Sequence, residues 1–481
     1  MVFLPLYSCD PEASSVSGYT SDTPPAPKPG EEITIFSIND LHGKIDGSNE
    51  HSSILDLAGS IENDPRYDPY SSVIVSAGDS WQGSYASGYD YGKTTTELFN
   101  LLGVKAMTLG NHEFDWGEEQ LITNGKIADF PFLASNLISG DTGKSPYWVD
   151  SYTIVETGGF SIGFVGVIGP YLESSIADGL LKDDYFSEDI ALVEEAYLSC
   201  IEDGADAVFL LAHEDGYSDY LDKVTERIPF KGVFAGHSHQ RQNLTASSGT
   251  RILQGGANNE AYSYMTIDTE TWSVTSYGIG DVTSKPTTND ALEEALENYL
   301  NTLPDQVFAQ IEGTWNTTTT AKFILSAMLY AIYTTAPEYY TPNLVAIHNT
   351  GGVRDSYGMH RTPVDFTMSL IQQASPFDNT LYLLPERSED IDEIIEHYYS
   401  RYVYLEDPYL DIVTISYLVN DNYSEMFTPE GAIPLVDHVR GGDYIIYNAI
   451  ADYASYIDSL GKVINPDDFI QWPTVESVLF M

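Results

Sequence analysis

The chain has 481 residues, 42% of them hydrophobic and 19% charged, so it can build more than one sizeable core. Its 21 Lys and Arg residues against 72 Asp and Glu residues give a formal net charge of -51. A surface this acidic repels polyanions, which excludes nucleic-acid polymers and anionic membranes as partners, while a small phosphate ester can still bind beside divalent cations.

The first residues are typical of an exported protein. Residues 1–8 are mostly apolar and precede Cys9, which resembles the end of a bacterial lipoprotein signal, and a tether rich in Asp, Ser and Pro follows. We predict an export-signal remnant and tether over 1–32, a secreted or cell-surface lipoprotein outside the cytoplasm, and membrane contact only through a lipid on Cys9. The apolar stretch is short and has no basic segment before it, so an accidental match is the alternative. No apolar run of 18 residues predicts a membrane span elsewhere.

Short apolar runs alternate with amphipathic runs between Ile33 and Tyr277. The apolar runs predict buried strands and the amphipathic runs predict helices that cover them, which is an α/β layer architecture. The predicted strands are Ile33–Ile38, Ser72–Val75, Val104–Thr108, Ser161–Gly166, Asp206–Leu211 and Gly232–Ala235, and the predicted helices include Thr94–Leu102 and Glu188–Ile201. Cys200 lies in the second helix and is interpreted as a buried free thiol.

A polar stretch over 281–290 marks the predicted joint between two domains. A helix is predicted directly after it, over 291–303, and the second half has a predicted helix over 319–333 and a strand over 344–347. The predicted divisions are a first domain over 33–280, a linker helix over 281–305, and a second, mixed α/β domain over 306–481.

Residues that can bind metals follow the predicted strands of the first domain. The five motifs are Asp40-Leu41-His42, Gly78-Asp79, Gly110-Asn111-His112-Glu113, His213 and Gly236-His237-Ser238-His239. Because loops at the carboxyl ends of strands converge on one crevice, we expect these side chains to meet. Each motif alone is a common turn or helix cap, and a single histidine such as His51 is interpreted as a surface or core residue. All five motifs together, in this order, are stronger evidence for one shared site than any motif alone.

The residue types in this set are those of a divalent metal site. Carboxylates, an amide and imidazoles without cysteine suit Zn, Mn, Fe or Co. The spacing of Asp40 and His42 predicts that both side chains lie on one side of a strand end, where they share an ion. His237 and His239 have the same spacing and can serve one ion each. The neighbouring glycines allow tight turns and close backbone approach.

This ordered set resembles the calcineurin-like metallophosphoesterase superfamily, and residues 37–43 and 110–117 resemble its 5′-nucleotidase branch. The resemblance implies a β-sandwich flanked by helices, followed by a C-terminal substrate-binding domain. It also implies two divalent metal ions, which lower the pKa of a bound water and polarise phosphoryl oxygens. In that scheme one ion takes Asp40, His42, Asp79 and His239, and the other takes Asp79, Asn111, His213 and His237, with Asp79 as the bridge.

That scheme leaves His112 free. Asp115 follows three residues later, a spacing at which the carboxylate can orient the imidazole and favour its charged form. We predict that His112 stabilises charge on the transferring phosphoryl group or the leaving oxygen with Asp115 as its partner, and the resemblance implies the same pair. A hydrogen bond at a helix start without a chemical role is the alternative.

Two loops of the second half carry the predicted substrate site. Residues 348–354 and 375–379 are unremarkable turns by themselves, but both resemble signature segments of the 5′-nucleotidase C-terminal domain. The resemblance implies that Asn349 and Arg354 bind ribose or base and that Phe377 forms one wall of an aromatic clamp. Tyr417 is the candidate for the opposite wall, or else a core residue, and Asp421 is the candidate for a nearby acid. The loop that carries them is two residues short and lacks the family's glycines, which leaves purine specificity open.

The residues and the resemblance together predict a hydrolase that acts on phosphoric ester bonds of a small-molecule nucleotide. The first hypothesis is hydrolysis of nucleoside 5′-monophosphates, extending to di- and triphosphates or nucleotide sugars, for nucleotide and phosphate scavenging. A phosphodiesterase for 2′,3′-cyclic nucleotides, or a relative that cleaves a sulfur-linked group, is the enzymatic alternative. The alternative from a different class is a surface protein that binds nucleotides without catalysis. Substrate is expected in the crevice between the domains, with a hinge near the linker helix.

Overall fold

The fold was derived from a computed structural model, which describes residues 31–47, 51–176, 179–387, 410–419 and 431–479. The strands of its first half, numbered in chain order, are β1 Glu32–Ile38, β2 Ser72–Ser76, β3 Val104–Thr108, β4 Phe132–Leu133, β5 Leu137–Ile138, β6 Tyr152–Thr157, β7 Phe160–Ile168, β8 Tyr185–Phe186, β9 Ala207–His213, β10 Val233–Ala235, β11 Arg241–Thr245, β12 Arg251–Gly255, β13 Ala261–Asp268 and β14 Val274–Asp281. The helices of this half are α1 Ile54–Glu62, α2 Tyr85–Gly88, α3 Lys93–Leu102, α4 Glu118–Gly125, α5 Ile190–Glu202, α6 Asp219–Arg227 and α7 Asp290–Leu300. Short 3-10 helices lie at Asn111–Phe114 and Leu172–Ser175.

Two six-stranded sheets form the centre of the first half. Their strand orders are β14-β13-β1-β2-β3-β4 and β11-β12-β10-β9-β7-β6. The inner strands of each sheet run parallel, while β13, β14, β6 and β11 pair antiparallel at the edges. The sheets pack face to face through buried side chains such as Ile35, Val75, Phe164 and Phe209. Their parallel strands therefore end on the same side of a β-sandwich.

Helices cover both outer faces of this sandwich. Leu98 and Phe99 of α3 join a core on the first sheet, whereas Val193 of α5 and Leu221 of α6 join a core on the second. The layer order is helix, sheet, sheet, helix, because every sheet face is apolar and must be covered. The predicted α/β class and the helix-flanked β-sandwich are confirmed.

The second half is organised around one long buried helix. Its strands are β15 Val307–Thr314, β16 Leu344–Ala346, β17 Met359–Thr367, β18 Leu381–Arg387, β19 Leu410–Ile415 and β20 Ile433–Pro434. Its helices are α8 Thr317–Thr335, α9 Met368–Ala374, α10 Ser416–Val419, α11 Ile446–Ser459 and α12 Val475–Leu479, with short 3-10 helices at Pro337–Tyr339, Thr350–Gly352 and Pro466–Phe469. A capping box between Asn316 and Thr319 starts α8, which packs against α11 and a four-stranded sheet, β16-β19-β18-β20.

The hydrophobic cores of the two halves are separate. One core comprises residues between 309 and 478, and the other three comprise residues between 33 and 296. The predicted linker helix corresponds to α7, whose Leu292 and Leu296 are buried in the core of the first half. The domain limits themselves stay a proposal, which the separate cores support. No described helix has both the length and the apolar character needed to cross a bilayer.

All six strands predicted in the first half are present, as β1, β2, β3, β7, β9 and β10, and the other eight described strands of this half, including β11 to β14, are additions. Strand β11 alternates between buried and exposed residues, and β14 is mostly half-buried and contains glycines. Neither sequence has the continuous apolar run that identified the central strands. These strands depend on pairing with their neighbours at the sheet edges.

Candidate metal centre and substrate cavity

The predicted ligands lie at one end of the sandwich, where strands of both sheets terminate. Asp40, Asp79 and Asn111 follow β1, β2 and β3 of the first sheet, while His213 ends β9 and His237 follows β10 of the second. The loops also pair with each other, since the Asp40 N–H donates to the Gly78 carbonyl at 2.9 Å and the His42 N–H to the Asp79 carbonyl at 3.0 Å. Segments far apart in sequence thereby converge as predicted.

A left-handed backbone turns these side chains inward. Positive φ angles occur at five of the predicted ligands, namely Asp40, His42, Asp79, His237 and His239. Residues other than glycine rarely adopt this conformation, and its cost is typical of functional sites. Asp40 and His42 are grouped as predicted from their spacing, but both lie in a loop beyond β1, so the left-handed backbone and not strand alternation brings them together.

Two glycines let the loops approach closely. A Cβ atom at Gly78 would lie 2.7 Å from the Gly110 nitrogen and 2.8 Å from His213 Nδ1. A Cβ atom at Gly110 would lie 2.2 Å from Asp79 Oδ1. Any side chain at either position would push the first sheet's loops away from the cluster.

The ligand atoms form two groups that share one carboxylate. Atoms of Asp40, His42, Asp79 and His239 lie within 4.8 Å of one another, and so do atoms of Asp79, His213 and His237. Asn111 joins the second group, with its Oδ1 atom 3.3 Å from His213 Nε2 and 3.1 Å from His237 Nδ1. These donors, oxygen and imidazole nitrogen without sulfur, fit two divalent ions held by a shared carboxylate.

Backbone carbonyls set the tautomers of two histidines. His42 Nδ1 lies 2.8 Å from the Gln82 carbonyl, and His213 Nδ1 lies 2.8 Å from the Ala77 carbonyl. A carbonyl only accepts, so each Nδ1 carries a proton and donates it. Each Nε2 atom then faces the cluster. Burial opposes the charged form of His213, but Asp79 raises the pKa of His213 to about 10, so there a divalent cation would replace a proton on Nε2.

Charge states in the cluster also suit cation binding. Burial lowers the pKa of His237 and of His239 to about 4, so both are neutral at pH 7 and offer lone pairs. Burial alone would raise the pKa of Asp79, but the imidazoles of His213 and His112 hold it well below its usual range. Asp79 is therefore ionised at neutral pH.

Two residues without an assigned role hold the ligand loops. The Glu113 carboxylate accepts backbone N–H bonds from Asp79 at 2.8 Å and from Ser80 and Gly110 at 2.7 Å. The Asn39 amide donates to Asp40 Oδ2 and to the Gly256 carbonyl, both at 2.6 Å. Both residues lie within the sequence motifs, but no role was predicted for either. For Glu113, the signal in the sequence was an acidic residue directly after His112.

His112 and Asp115 form the predicted pair. His112 Nδ1 lies 2.7 Å from Asp115 Oδ2, and Arg354 Nη2 donates to His112 Nε2 at 2.7 Å. Burial opposes a charged imidazole, but Asp115 and Asp79 outweigh it and raise the pKa of His112. The ring stacks on Phe377 with centroids 5.5 Å apart. Arg354, predicted to bind ribose or base, thus lies beside His112 at the metal end of the cavity.

A cavity of about 600 Å³ connects the metal cluster to the second half. The predicted substrate residues Asn349, Arg354, Phe377 and Tyr417 line it, together with Asp79, His112 and Asp115. The Asn349 Oδ1 atom is buried and has no hydrogen-bond partner among the described residues, so it is available to a ligand. Asp421 and Cys9 lie outside the described residues, whereas Cys200 is a buried free thiol as predicted.

Comparisons with known proteins agree with this geometry. Residues 33–241 match the family model of the calcineurin-like phosphoesterases. The fold matches the crystal structure of a 5′-nucleotidase precursor from Thermus thermophilus with a TM-score of 0.68 and 16% identity, over 89% of this chain and 97% of that one. The first half is thus similar to the calcineurin-like phosphoesterases, and the whole chain has a fold similar to that of this 5′-nucleotidase precursor. The structural match extends over both halves of the chain.

Two sequence relatives of the chain are longer than it is. Endonuclease YhcR of Bacillus subtilis is 25% identical over 419 residues, which are 77% of this chain and 33% of YhcR. Cell wall protein Lmo0130 of Listeria monocytogenes is 22% identical over 482 residues, covering 84% of this chain and 60% of that protein. The chain thus spans a third of the first relative and three fifths of the second.

Proposed function

We propose that the chain hydrolyses phosphate esters of nucleotides, as a metal-dependent 5′-nucleotidase. One observation carries this proposal: two ligand groups that share Asp79 open into the same cavity as Phe377 and Tyr417 of the second half. Such a cavity can hold a phosphoryl group at one end and a nucleoside at the other. The 5′-nucleotidase named among the solved structures supports the same substrate class.

We propose that each ion is held by the ligand atoms that lie close together in the structure. Asp40, His42, Asp79 and His239 would hold one ion, and Asp79, Asn111, His213 and His237 would hold the other. When bound, two such ions supply Lewis acidity that polarises phosphoryl oxygens and lowers the pKa of a bound water. Glu113 and Asn39 keep the ligand loops in place through their backbone hydrogen bonds.

His112, Asp115 and Arg354 act on the phosphoryl group in this proposal. Asp115 accepts a hydrogen bond from the Nδ1–H group of His112. This bond fixes the ring with Nε2 facing the cavity. Arg354 lies beside Nε2, where its guanidinium can donate to phosphoryl oxygens. We therefore assign Arg354 to the phosphoryl group instead of the ribose or base. If a phosphoryl oxygen takes the place of this contact, a protonated His112 and the guanidinium can both donate to that oxygen and stabilise negative charge as the ester bond breaks.

Residues of the second half bind the nucleoside in this proposal. Phe377 offers a ring face beside the phosphoryl end, Tyr417 lines the same cavity, and the unpartnered Asn349 Oδ1 accepts a hydrogen bond from ribose or base. Stacking requires only a π face, which suits several bases. The proposed acid Asp421 completes this set.

Export is part of the proposal. The apolar residues before Cys9, the tether after it and the similarity to a cell wall protein support a location outside the cytoplasm, with a lipid on Cys9 as the anchor.

The test is phosphate release from AMP by the wild type and by Asp79→Asn, with bound metal measured on both. We expect Asp79→Asn to lose about 100-fold or more in kcat/KM, equivalent to about 3 kcal/mol, and to bind less metal. The exposed Asp129→Asn is the matched control and should behave as the wild type. Equal turnover by wild type and Asp79→Asn would remove the proposed bridge.

A substrate panel separates the alternatives. Preferential cleavage of 2′,3′-cyclic AMP over AMP would favour the phosphodiesterase. A metal-loaded protein that binds adenosine but cleaves none of the esters would be a nucleotide-binding protein without catalysis.

A further inference from the structure

A second, smaller cavity lies beyond the ligand histidines. Its volume is about 150 Å³, and its described lining includes Lys44, His51 and Asp355 together with His42 and His239. The ligands His42 and His239 form one wall, whereas Asp40 and Asp79 are not among the lining residues, so the cavity adjoins the metal cluster. We call it the Lys44 cavity.

The Lys44 cavity adjoins the substrate cavity. Arg354, His239 and Gly351 line both of them. A group bound in the Lys44 cavity would therefore lie next to a phosphoryl group held at the metal cluster. None of the roles proposed above places a bound group in the Lys44 cavity.

Lys44 is a buried cation with no close partner in the part of the chain that the structure describes. Only 5% of its surface is exposed, and among the described residues its ammonium group has no hydrogen bond and no carboxylate within 4.0 Å. Burying an ammonium group removes its hydration, and only a compensating anion offsets that cost. Asp355 and Asp46 are the carboxylates in electrostatic range of Lys44, and Arg354 is a second cation in that range.

The carboxylate of Asp355 is already engaged. His51 Nε2 lies 2.9 Å from Asp355 Oδ2, and the Gln373 amide donates to the same oxygen at 2.7 Å. The Ser356 N–H donates to Asp355 Oδ1 at 2.7 Å. Asp355 thus forms a fixed wall of the cavity, and its hydrogen bonds go to groups other than Lys44.

Arg354 adds a second positive group at the mouth of this cavity. Its guanidinium donates to His112 and lies 5.0 Å from the Phe377 centroid, and the described residues offer it no carboxylate within 4.0 Å. Two positively charged side chains therefore line a polar cavity, and the carboxylate among its lining residues, Asp355, is already hydrogen-bonded. Ammonium and guanidinium groups together are donors for a phosphate oxyanion.

We infer that the Lys44 cavity is a second phosphate-binding site, in which Lys44 and Arg354 hold an oxyanion next to the catalytic one. This inference rests on the proposed function for its place in catalysis. The oxyanion is either the second phosphoryl group of a nucleoside diphosphate or orthophosphate after its release. Both present the same charged oxygens to the cavity.

Calorimetric titration of the metal-loaded protein with inorganic phosphate tests binding directly. We expect two phosphate-binding events in the wild type, and in Lys44→Met a loss of at least tenfold in the affinity of one of them. Lys44→Arg keeps the charge and should retain both events. Lys105→Met removes an exposed lysine of β3 as the control for net charge and should also retain both. A single event in the wild type, or equal titrations for Lys44→Met and Lys105→Met, would overturn the second site.

Steady-state kinetics distinguish the two sources of the oxyanion. If it is the second phosphoryl group, Lys44→Met raises KM for ADP at least fivefold more than KM for AMP. If it is released orthophosphate, Lys44→Met weakens product inhibition by phosphate with AMP and ADP alike. An active enzyme in which Lys44→Met produces neither change would overturn the inference. Failure of the proposed function is a separate result, because a protein that cleaves neither nucleotide can still be titrated with phosphate.

Discussion

Replacement of Glu113 tests how the backbone beside the metal cluster is held. Its side chain is buried, with 1% of the residue exposed, and its two oxygens accept three backbone N–H bonds. One oxygen serves the N–H groups of Asp79 and Gly110, and the other serves the N–H group of Ser80. In Glu113→Gln an amide NH₂ replaces one oxygen, so at least one buried N–H group faces another donor.

The expected change in the free energy of unfolding follows from the buried N–H group that loses its acceptor. A buried N–H group without an acceptor costs about 1–3 kcal/mol. Burial and Asp79 raise the pKa of the Glu113 carboxyl to about 7, so the loss of charge weakens the two remaining bonds less than it would for a fully ionised carboxylate. We therefore expect Glu113→Gln to lower the free energy of unfolding by about 2–3 kcal/mol. Because these N–H groups belong to the ligand loops, we also expect metal affinity to fall by about 10-fold or more.

Urea unfolding and metal titration provide the assay. Glu97→Gln is the control, since Glu97 is half-exposed on α3 and pairs with Lys93 at 3.8 Å, a contact worth about 0.5 kcal/mol. If Glu113→Gln unfolds at the wild-type urea concentration and binds metal as tightly as the wild type, the argument from buried N–H groups is refuted.

Three further predictions concern the base site, the charge and the buried thiol. Phe377→Ala should raise KM for AMP by about 10-fold, since stacking on one base is worth about 1–3 kcal/mol, and should lower kcat because His112 loses the ring it stacks on; unchanged kinetics would remove Phe377 from the site. The free energy of unfolding should rise between 0.1 and 1 M KCl, because the Debye length falls from about 10 Å to about 3 Å and screens the net charge of -51; a salt-independent urea midpoint would contradict this. Burial raises the pKa of the Cys200 thiol to about 12, so the thiolate forms only as pH approaches that value. Iodoacetamide at pH 8 should therefore leave Cys200 unmodified in the folded protein and modify it in urea, and labelling at equal rates in both would show the thiol to be accessible.

The sequence by itself determined the central strands of the first half and the order of the ligand motifs. Continuous apolar runs such as Val104–Thr108 have no other stable location than a buried sheet, and polar residues directly after them must lie at the strand ends. That reasoning is local, so it also predicted α3, α5 and α8 within a few residues. The family resemblance added the pairing of ligands with ions, which stays a proposal.

Tertiary structure decided what depends on contacts between distant segments. The positive φ angles at Asp40 and His42 are held by hydrogen bonds to the loop after β2, which no local pattern reveals. Arg354 reaches His112 across 242 positions, so its place at the phosphoryl end follows only from how the two halves meet. The Lys44 cavity has the same origin: one buried ammonium group acquires its neighbours Arg354 and Asp355 from a part of the chain about three hundred residues away.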